Sequence, residues 1–189
     1  MFSTFRIKKN ILSAAIPAVL LFATGISARA TDKPHVVSVD QPAGTTPLWW
    51  DMPRGVAMVG EIEIPAVGLA TRVIEGDDAR ILGLAVGHIP GTAVPGPTGN
   101  VGLAGHRDTF FRPLRKIIVG DEIRFSTMAG TFLYRVVSLS VVLPNAVEVL
   151  DATKQPTLTL VTCYPFNYVG DAPKRLIVHA EMVSASLER

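Results

Sequence analysis

The chain has 189 residues, of which 48% are apolar, and this length and composition suit one globular domain with a packed core. Four of the 18 basic residues and none of the 16 acidic residues lie within residues 1–30, which leaves 14 basic against 16 acidic residues and a net charge of −2 for the rest. A mildly acidic domain without a basic run has no electrostatic basis for binding nucleic acid, so we exclude that class of partner.

Residues 1–30 have the layout of an export signal. Basic side chains precede an apolar stretch at residues 11–26, and the small-residue pattern Ala-Arg-Ala follows and ends at Ala30. One interpretation is a signal peptide cleaved after Ala30. The other is an uncleaved membrane anchor, because the stretch approaches the roughly 17–25 residues that a membrane span needs. In both cases we expect an exported domain, either anchored at the cell membrane and facing outward or released into the periplasm or the medium.

A linker at residues 31–57, rich in Pro, Thr and Gly, leads to a domain at residues 58–189. Within this domain, short alternating segments separated by turns predict strands at 59–64, 71–75, 101–104, 122–125, 131–137, 138–143, 157–162 and 175–181. Residues 77–82 predict one or two helical turns, and the Pro- and Gly-rich residues 87–100 predict a loop. The expected fold is mostly β: a closed or nearly closed eight-stranded β-barrel with short helices or helical turns in its loops.

Cys163 is the only cysteine, and it follows the predicted strand 157–162 directly. It cannot form an internal disulfide, and a free thiol in an oxidising compartment needs either burial or a chemical task. A lone cysteine is most often a buried, unreactive residue, so its position alone does not indicate catalysis.

Two other residues lie at junctions between a predicted strand and a loop, where a rigid strand end can present a side chain to a substrate. His106 follows the strand 101–104, and an imidazole can both accept and donate a proton near neutral pH. Arg175 begins the last strand, where a guanidinium could donate hydrogen bonds to the oxyanion formed when a thiolate attacks a carbonyl. Taken singly, the alternatives are a histidine hydrogen-bonded in a turn beside a surface Arg107–Asp108 ion pair, and a solvated arginine at a strand edge.

The segments around these three residues resemble those of the sortases, especially the group called class D, over about residues 61–180. The Cys segment is Thr-Leu-Val-Thr-Cys at 159–163, the His segment is Gly-His-Arg-Asp-Thr-Phe-Phe at 105–111, and the Arg segment is Ala-Pro-Lys-Arg-Leu-Ile-Val at 172–178. Residues 87–92 and 95–100 also look like the family's segments. Several motifs in the same order and spacing are more specific than any one of them.

The resemblance implies a sortase barrel and a cysteine transpeptidase. In keeping with the family, Cys163 would attack a C-terminal sorting signal of the Leu-Pro-x-Thr-Gly type and form a thioester acyl-enzyme. An amine of the cell wall, or a lysine of another protein subunit, would then resolve the thioester. His106 would act as the general acid and base, and Arg175 would stabilise the oxyanion or the substrate.

Thr162, Asp108 and His88 are secondary candidates for substrate binding or for support of the catalytic residues. Thr162 belongs to the Cys segment, and Asp108 could orient His106. His88 lies in the predicted loop, where a structural turn role is the alternative. No pair of histidines has metal-ligand spacing, so we expect no metal, and the implied chemistry needs no cofactor.

Two other functions remain compatible with parts of this pattern. A cysteine endopeptidase would use the same three residues but let water resolve the thioester. A non-catalytic β-barrel binding module of the envelope would need none of them. The L,D-transpeptidases are another class of cysteine transpeptidase, and their cysteine lies in a Ser-x-Gly-Cys pattern. This chain has Leu-Val-Thr-Cys at 160–163, so we do not expect it to belong to that class.

Overall fold

The structure, a computed structural model, describes residues 55–187. The expected export segment and most of the linker lie outside the described residues, so the domain boundaries stay predictions. Within the described range, no helix has the length and apolar character needed to cross a membrane.

Eight strands close into a barrel, as the sequence predicted. Their bounds are β1 Met58–Ile64, β2 Leu69–Glu75, β3 Val86–His88, β4 Asn100–Ala104, β5 Glu122–Thr127, β6 Gly130–Val142, β7 Thr157–Tyr164 and β8 Lys174–Leu187. Around the barrel the order is β1-β2-β3-β4-β7-β8-β6-β5, and β5 pairs back with β1. The β2–β3 and β4–β7 pairs are parallel, and the other pairs are antiparallel. The connections contain α1 (Ala79–Leu82) and three 3₁₀ helices at Pro65–Val67, Arg112–Lys116 and Val147–Leu150.

Alternating side chains explain why the strands enclose a core. In β1, Ile62 and Ile64 point inward and are at most 1% exposed, whereas Glu61 between two buried neighbours is exposed. Burying a side chain of this size stabilises the fold by about 1.5–3 kcal/mol. The largest inward-facing side chains are Tyr134, Phe111 and Phe125. Because the interior is packed with side chains, a binding site has to lie on the outside of the barrel or at its rim.

A second, smaller apolar cluster covers the outer face of β4, β7 and β8. Its members are Leu82 of α1, Leu150 of the 3₁₀ helix Val147–Leu150, and the strand or loop residues Ile89, Ala104, Val161 and Ile177. This cluster fixes α1 and the β6–β7 connection against the barrel wall, next to the strand ends that carry the candidate site.

The sequence predicted two strands, 131–137 and 138–143, where the structure has the single strand β6 of 13 residues. The reason is an irregularity in pairing with β8 between Val136 and Ser138. A bulge of this kind shifts the phase of side-chain alternation without ending the strand, so the pattern looks broken although the ladder continues.

The strand β3 lies partly within the predicted loop 87–100, which in fact begins only after His88. It has three residues, and its central Gly87 lacks the side chain by which strands are recognised. A Cβ atom at Gly87 would collide with the carbonyl oxygen of Gly76, so the close backbone approach requires glycine there. The glycine that suggested a loop is a packing requirement inside the sheet.

Candidate active site

The barrel topology brings three strand ends together. Strands β4 and β7 are parallel neighbours, so their carboxyl ends meet at one edge, and the antiparallel β8 begins at the same edge. Cys163 of β7 lies directly opposite Arg175 of β8. Gly105 donates its N–H to the Val161 carbonyl at 3.2 Å, which holds the end of β4 against β7 immediately before His106.

His106, Cys163 and Arg175 all line one cavity of about 790 Å³. Each of the three is partly exposed, so each is both held by the fold and open to a bound molecule. The volume falls within the roughly 300–1,000 Å³ that is usual for binding clefts. The surrounding wall includes Asp77, which precedes α1, Leu82 of α1, and residues of the β7–β8 connection, among them Tyr168, Val169 and Asp171.

The Arg175 guanidinium is held by its own connection. Its Nη1 donates to the carbonyl oxygens of Ala172, at 3.0 Å, and Lys174, at 2.9 Å. Residues directly opposite each other in an antiparallel pair have Cβ atoms about 4.5–5.5 Å apart. A guanidinium in this position can therefore reach a carbonyl group bound at Cys163.

Thr162 ties the Cys segment to the His segment. It is 2% exposed, and its Oγ1 donates to the Gly105 carbonyl at 2.7 Å. Together with the Gly105 N–H bond to Val161, this hydrogen bond fixes the backbone on both sides of the β4–β7 junction. The structure therefore places Thr162 where it supports the relative position of His106 and Cys163.

Asp108 also lines the cavity, but its carboxylate faces Arg107. The distance from Asp108 Oδ1 to Arg107 Nε is 3.5 Å, and the Asp108 side chain is 65% exposed. In the described part of the chain no hydrogen bond from Asp108 to His106 supports the predicted role of orienting that histidine. Only Arg107 separates the two residues along the chain, and the Asp108 carboxylate faces this arginine.

His88 lies away from the cavity, in contrast to its candidacy for the site. It is 3% exposed, with Nδ1 2.7 Å from Glu75 Oε2 and Nε2 2.8 Å from the Ala93 carbonyl oxygen. The Thr92 hydroxyl lies 3.2 Å from the same Nε2. These contacts join β2, β3 and the turn after β3. They match the alternative for His88, a structural role in a turn.

Sequence reasoning missed the contribution of Arg107, which it treated as one half of a surface ion pair. The side chain is 7% exposed, lines the cavity and bonds to the β7–β8 connection. Its position next to His106 was the available signal, but an Arg-Asp dipeptide in a polar loop is usually solvated, and nothing in the sequence distinguishes the buried case.

Asp77 is a partly buried carboxyl group on the α1 side of the cavity, and burial raises its pKa. The nearby Asp78 and Glu75 carboxylates raise it further, while a backbone hydrogen bond opposes the shift. A folded-state pKa above the unfolded value means that folding favours the protonated form. The free energy of unfolding therefore falls as pH rises through the folded-state pKa of Asp77.

Accordingly, we expect Asp77→Asn to raise Tm at pH 7 and to have little effect below about pH 3, where the carboxyl is protonated in both states. Thermal unfolding followed by circular dichroism at the two pH values measures this. The matched control is Asp171→Asn, an exposed carboxylate on the same cavity, for which we expect no gain. An equal gain at pH 3, or an equal gain from the control, would contradict the burial argument.

No three His, Cys, Asp or Glu side chains within residues 55–187 form a cluster able to hold a metal ion. The side chains gathered at the cavity are instead a thiol, an imidazole and a guanidinium. This combination provides a nucleophile, a group that can move a proton, and a cation that can stabilise an oxyanion.

Comparison with known proteins gives a consistent result. The family model described as "Sortase domain" matches residues 62–183, more than half of the chain and a range that includes all three catalytic candidates. The chain is 36% identical to Sortase D of Bacillus subtilis (strain 168) over 126 residues, which are 66% of this chain and 64% of that protein. It is 32% identical to Sortase A of Listeria monocytogenes over 130 residues, which are 67% of this chain and 57% of that protein. The chain thus spans less than two thirds of the length of these curated relatives.

Solved structures that resemble this chain are also those of sortases. A Clostridium perfringens Sortase D5 transpeptidase superposes with a TM-score of 0.61 at 32% identity, covering 67% of this chain and 79% of that one. Sortase A of Listeria monocytogenes superposes with a TM-score of 0.64 at 27% identity, covering 70% and 92%. On the family match, the relatives and the barrel, the chain belongs to the sortase family and is class D-like within it.

Proposed function

We propose that this domain is a cysteine transpeptidase of the envelope. It cleaves a C-terminal sorting signal of the Leu-Pro-x-Thr-Gly type through a thioester acyl-enzyme and transfers the protein to an amine. The acceptor is an amine of the cell wall or a lysine of another protein subunit. The observation that carries the proposal is the register that sets Cys163 opposite Arg175, with His106 on the same cavity.

In the first half-reaction, the Cys163 thiolate attacks the carbonyl carbon of the Thr–Gly peptide bond. A C–S bond forms, and the carbonyl oxygen gains negative charge that the Arg175 guanidinium stabilises. His106 donates a proton to the departing glycine nitrogen as the C–N bond breaks. The products are a thioester on Cys163 and the released C-terminal peptide.

In the second half-reaction, the acceptor amine attacks the thioester carbonyl. His106 takes the proton from the attacking nitrogen, a new C–N bond forms, and the C–S bond breaks to release the Cys163 thiolate. The free energy of the old amide is retained in the thioester until the new amide forms. An enzyme outside the cytoplasm can therefore join proteins without ATP.

The proposal includes export, with the chain either anchored through residues 1–30 or cleaved after Ala30. The support is the basic, apolar and small-residue order of this segment. Its partners are proteins that carry the sorting motif and the amine acceptor, with the membrane as a further partner if the segment stays uncleaved. Mass spectrometry of the chain recovered from its native envelope distinguishes the two, because cleavage gives an N-terminus at Thr31.

The experiment for the activity is incubation of the full chain, solubilised in mild detergent, with a panel of sorting-motif peptides and a small primary amine. We expect a ligated peptide–amine product by mass spectrometry. Peptide cleaved only to the free acid would indicate the endopeptidase alternative. Neither product from any motif, with a folded protein, would leave the binding-module alternative and contradict the proposal.

A further inference from the structure

The Arg107 side chain is buried beside the candidate site and bonds to one loop. Its Nη1 donates to the Pro165 carbonyl at 3.1 Å, and its Nη2 donates to the carbonyls of Tyr168, at 2.6 Å, and Gly170, at 3.0 Å. One guanidinium therefore gathers three carbonyl groups of the β7–β8 connection. The planar guanidinium has five N–H donors in a rigid fork, so it can serve these three acceptors from two nitrogens at once.

The free-energy cost of burying the Arg107 charge has to be offset by other interactions. An ionised group taken out of water is costly unless its protons are hydrogen-bonded, and an arginine cannot lose its charge to avoid the cost. At Arg107 the partners are neutral carbonyls, and the nearest carboxylate, Asp108, is mostly exposed and 3.5 Å from Nε. Nε itself has no hydrogen-bond partner within the described residues. The arrangement is therefore suited to holding the loop more than to forming a strong ion pair.

The loop that Arg107 holds has few other anchors. Residues 167–171 are all exposed, and the backbone hydrogen bond within the loop, from Tyr168 N–H to the Pro165 carbonyl, is long at 3.4 Å. Phe166 packs against the barrel core at the beginning of the loop, with its ring edge-on to Tyr164. Beyond Phe166, the loop carbonyls of Tyr168 and Gly170 accept hydrogen bonds from Arg107, and the Ala172 carbonyl accepts one from Arg175 at the end of the loop.

The same loop forms one wall of the cavity and connects Cys163 to Arg175. Residues 168–172 line the cavity, and so does Arg107. Arg107 is also covalently next to His106. Its hydrogen bonds therefore link the backbone of the His segment to the loop between the other two catalytic candidates.

We propose that Arg107 is a positioning residue for the peptide substrate. It fixes the β7–β8 connection as a preformed wall of the cavity and keeps that wall in a constant position relative to His106. This inference rests on the proposed function, because it requires that the cavity binds the peptide substrate. Without Arg107, a bound peptide has to order the loop itself, which weakens binding. The reactivity of the Cys163 thiol toward a small reagent does not depend on the wall.

The test compares the full chain with its Arg107→Met, Arg107→Lys and Arg115→Met variants. Arg115 is exposed on the 3₁₀ helix Arg112–Lys116, so its substitution is the matched control. Three quantities are measured: KM and kcat for a sorting-motif peptide, the rate of Cys163 alkylation by iodoacetamide, and hydrogen exchange of the amides in residues 166–172.

For Arg107→Met we expect KM to rise about tenfold or more, with a smaller change in kcat, as expected when binding energy is lost before the chemical step. Alkylation should stay within about twofold of the wild-type rate, because thiol reactivity follows the local environment of the sulfur. Amide exchange should accelerate in residues 166–172 and not in β7 or β8. Arg107→Lys should fall between the wild type and Arg107→Met, since the three donors of an ammonium lie on one nitrogen and do not reproduce the separate Nη1 and Nη2 positions, and Arg115→Met should match the wild type.

Three results would overturn the proposal: an unchanged KM in a folded Arg107→Met variant, unchanged loop exchange, or a large fall in alkylation rate with KM unchanged. The last would mean that Arg107 acts on the thiol through its charge. If Arg107→Met does not fold, the Lys variant carries the same three measurements. If no peptide is processed by the wild type, the proposed function fails, while exchange and alkylation still decide whether Arg107 holds the loop.

Discussion

Cys163→Ala removes both cleavage and ligation of sorting-motif peptides. We expect the rate to fall by roughly 10⁴-fold or more, because loss of the nucleophile removes the covalent route and the other groups then have no intermediate to act on. Product formation with peptide and amine, followed by mass spectrometry, measures the effect. Cys163→Ser should be almost as inactive, since near neutral pH a hydroxyl without a strong base beside it is a much weaker nucleophile than a thiolate.

The control for this substitution is the stability of the fold. Cys163 is partly exposed at the end of β7 and makes no disulfide, so the alanine variant should unfold at nearly the wild-type temperature. A stable Cys163→Ala variant that still produces the ligated peptide would rule out the thioester route. A variant that retained the biological effect of the protein without any catalysis would favour the binding-module alternative.

For Arg175→Ala we expect kcat to fall by about 10²–10³-fold while the enzyme remains folded and the thiol can still be alkylated. This magnitude is typical for removal of one donor to a developing oxyanion. Arg175→Lys should recover only part of the loss, because a single ammonium does not reproduce the guanidinium fork that now bonds to Ala172 and Lys174. Steady-state kinetics with a fluorogenic sorting peptide measure both variants.

Lys174→Ala is the matched control for Arg175, since it removes a neighbouring cation that is exposed and outside the cavity lining. We expect kcat and KM within about twofold of the wild type, as is usual for exposed substitutions away from a site. Equal losses from the two substitutions would mean that general positive charge matters, and the specific alignment with Cys163 would not be the cause.

Local sequence patterns are sufficient to predict most of β7, the strand that carries Cys163, and the first half of β8, the strand that carries Arg175. Alternation and apolar runs mark both, and the position of Arg175 twelve residues beyond Cys163 suits antiparallel neighbours. The parallel pairing of β4 with β7 is different. It joins segments more than fifty residues apart, such as Gly102 and Thr159, and no local pattern specifies it. The placement of His106 and Cys163 on one cavity was therefore expected from the resemblance to the sortases and not from a local pattern.

The remaining differences have physical causes in particular residues. Gly87 and the bulge near Val137 disturb the alternation by which strands are recognised, so β3 was missed and β6 was divided. His88 and Arg107 are polar residues in Gly-rich or polar segments, where exposure is the ordinary expectation. Both are buried with hydrogen-bond partners that the local sequence does not position: the Glu75 carboxylate and the Ala93 carbonyl for His88, and loop carbonyls for Arg107.

The thioester intermediate can be detected from the mass of the enzyme during turnover without an acceptor amine. The wild-type chain, mixed with a sorting-motif peptide and quenched in acid, should carry the acyl group of the peptide up to its threonine, and peptide mapping should locate it on Cys163. Addition of hydroxylamine should release the acyl group, as expected for a thioester. Turnover of the peptide with no acyl group on Cys163, or with the group on another residue, would contradict the account.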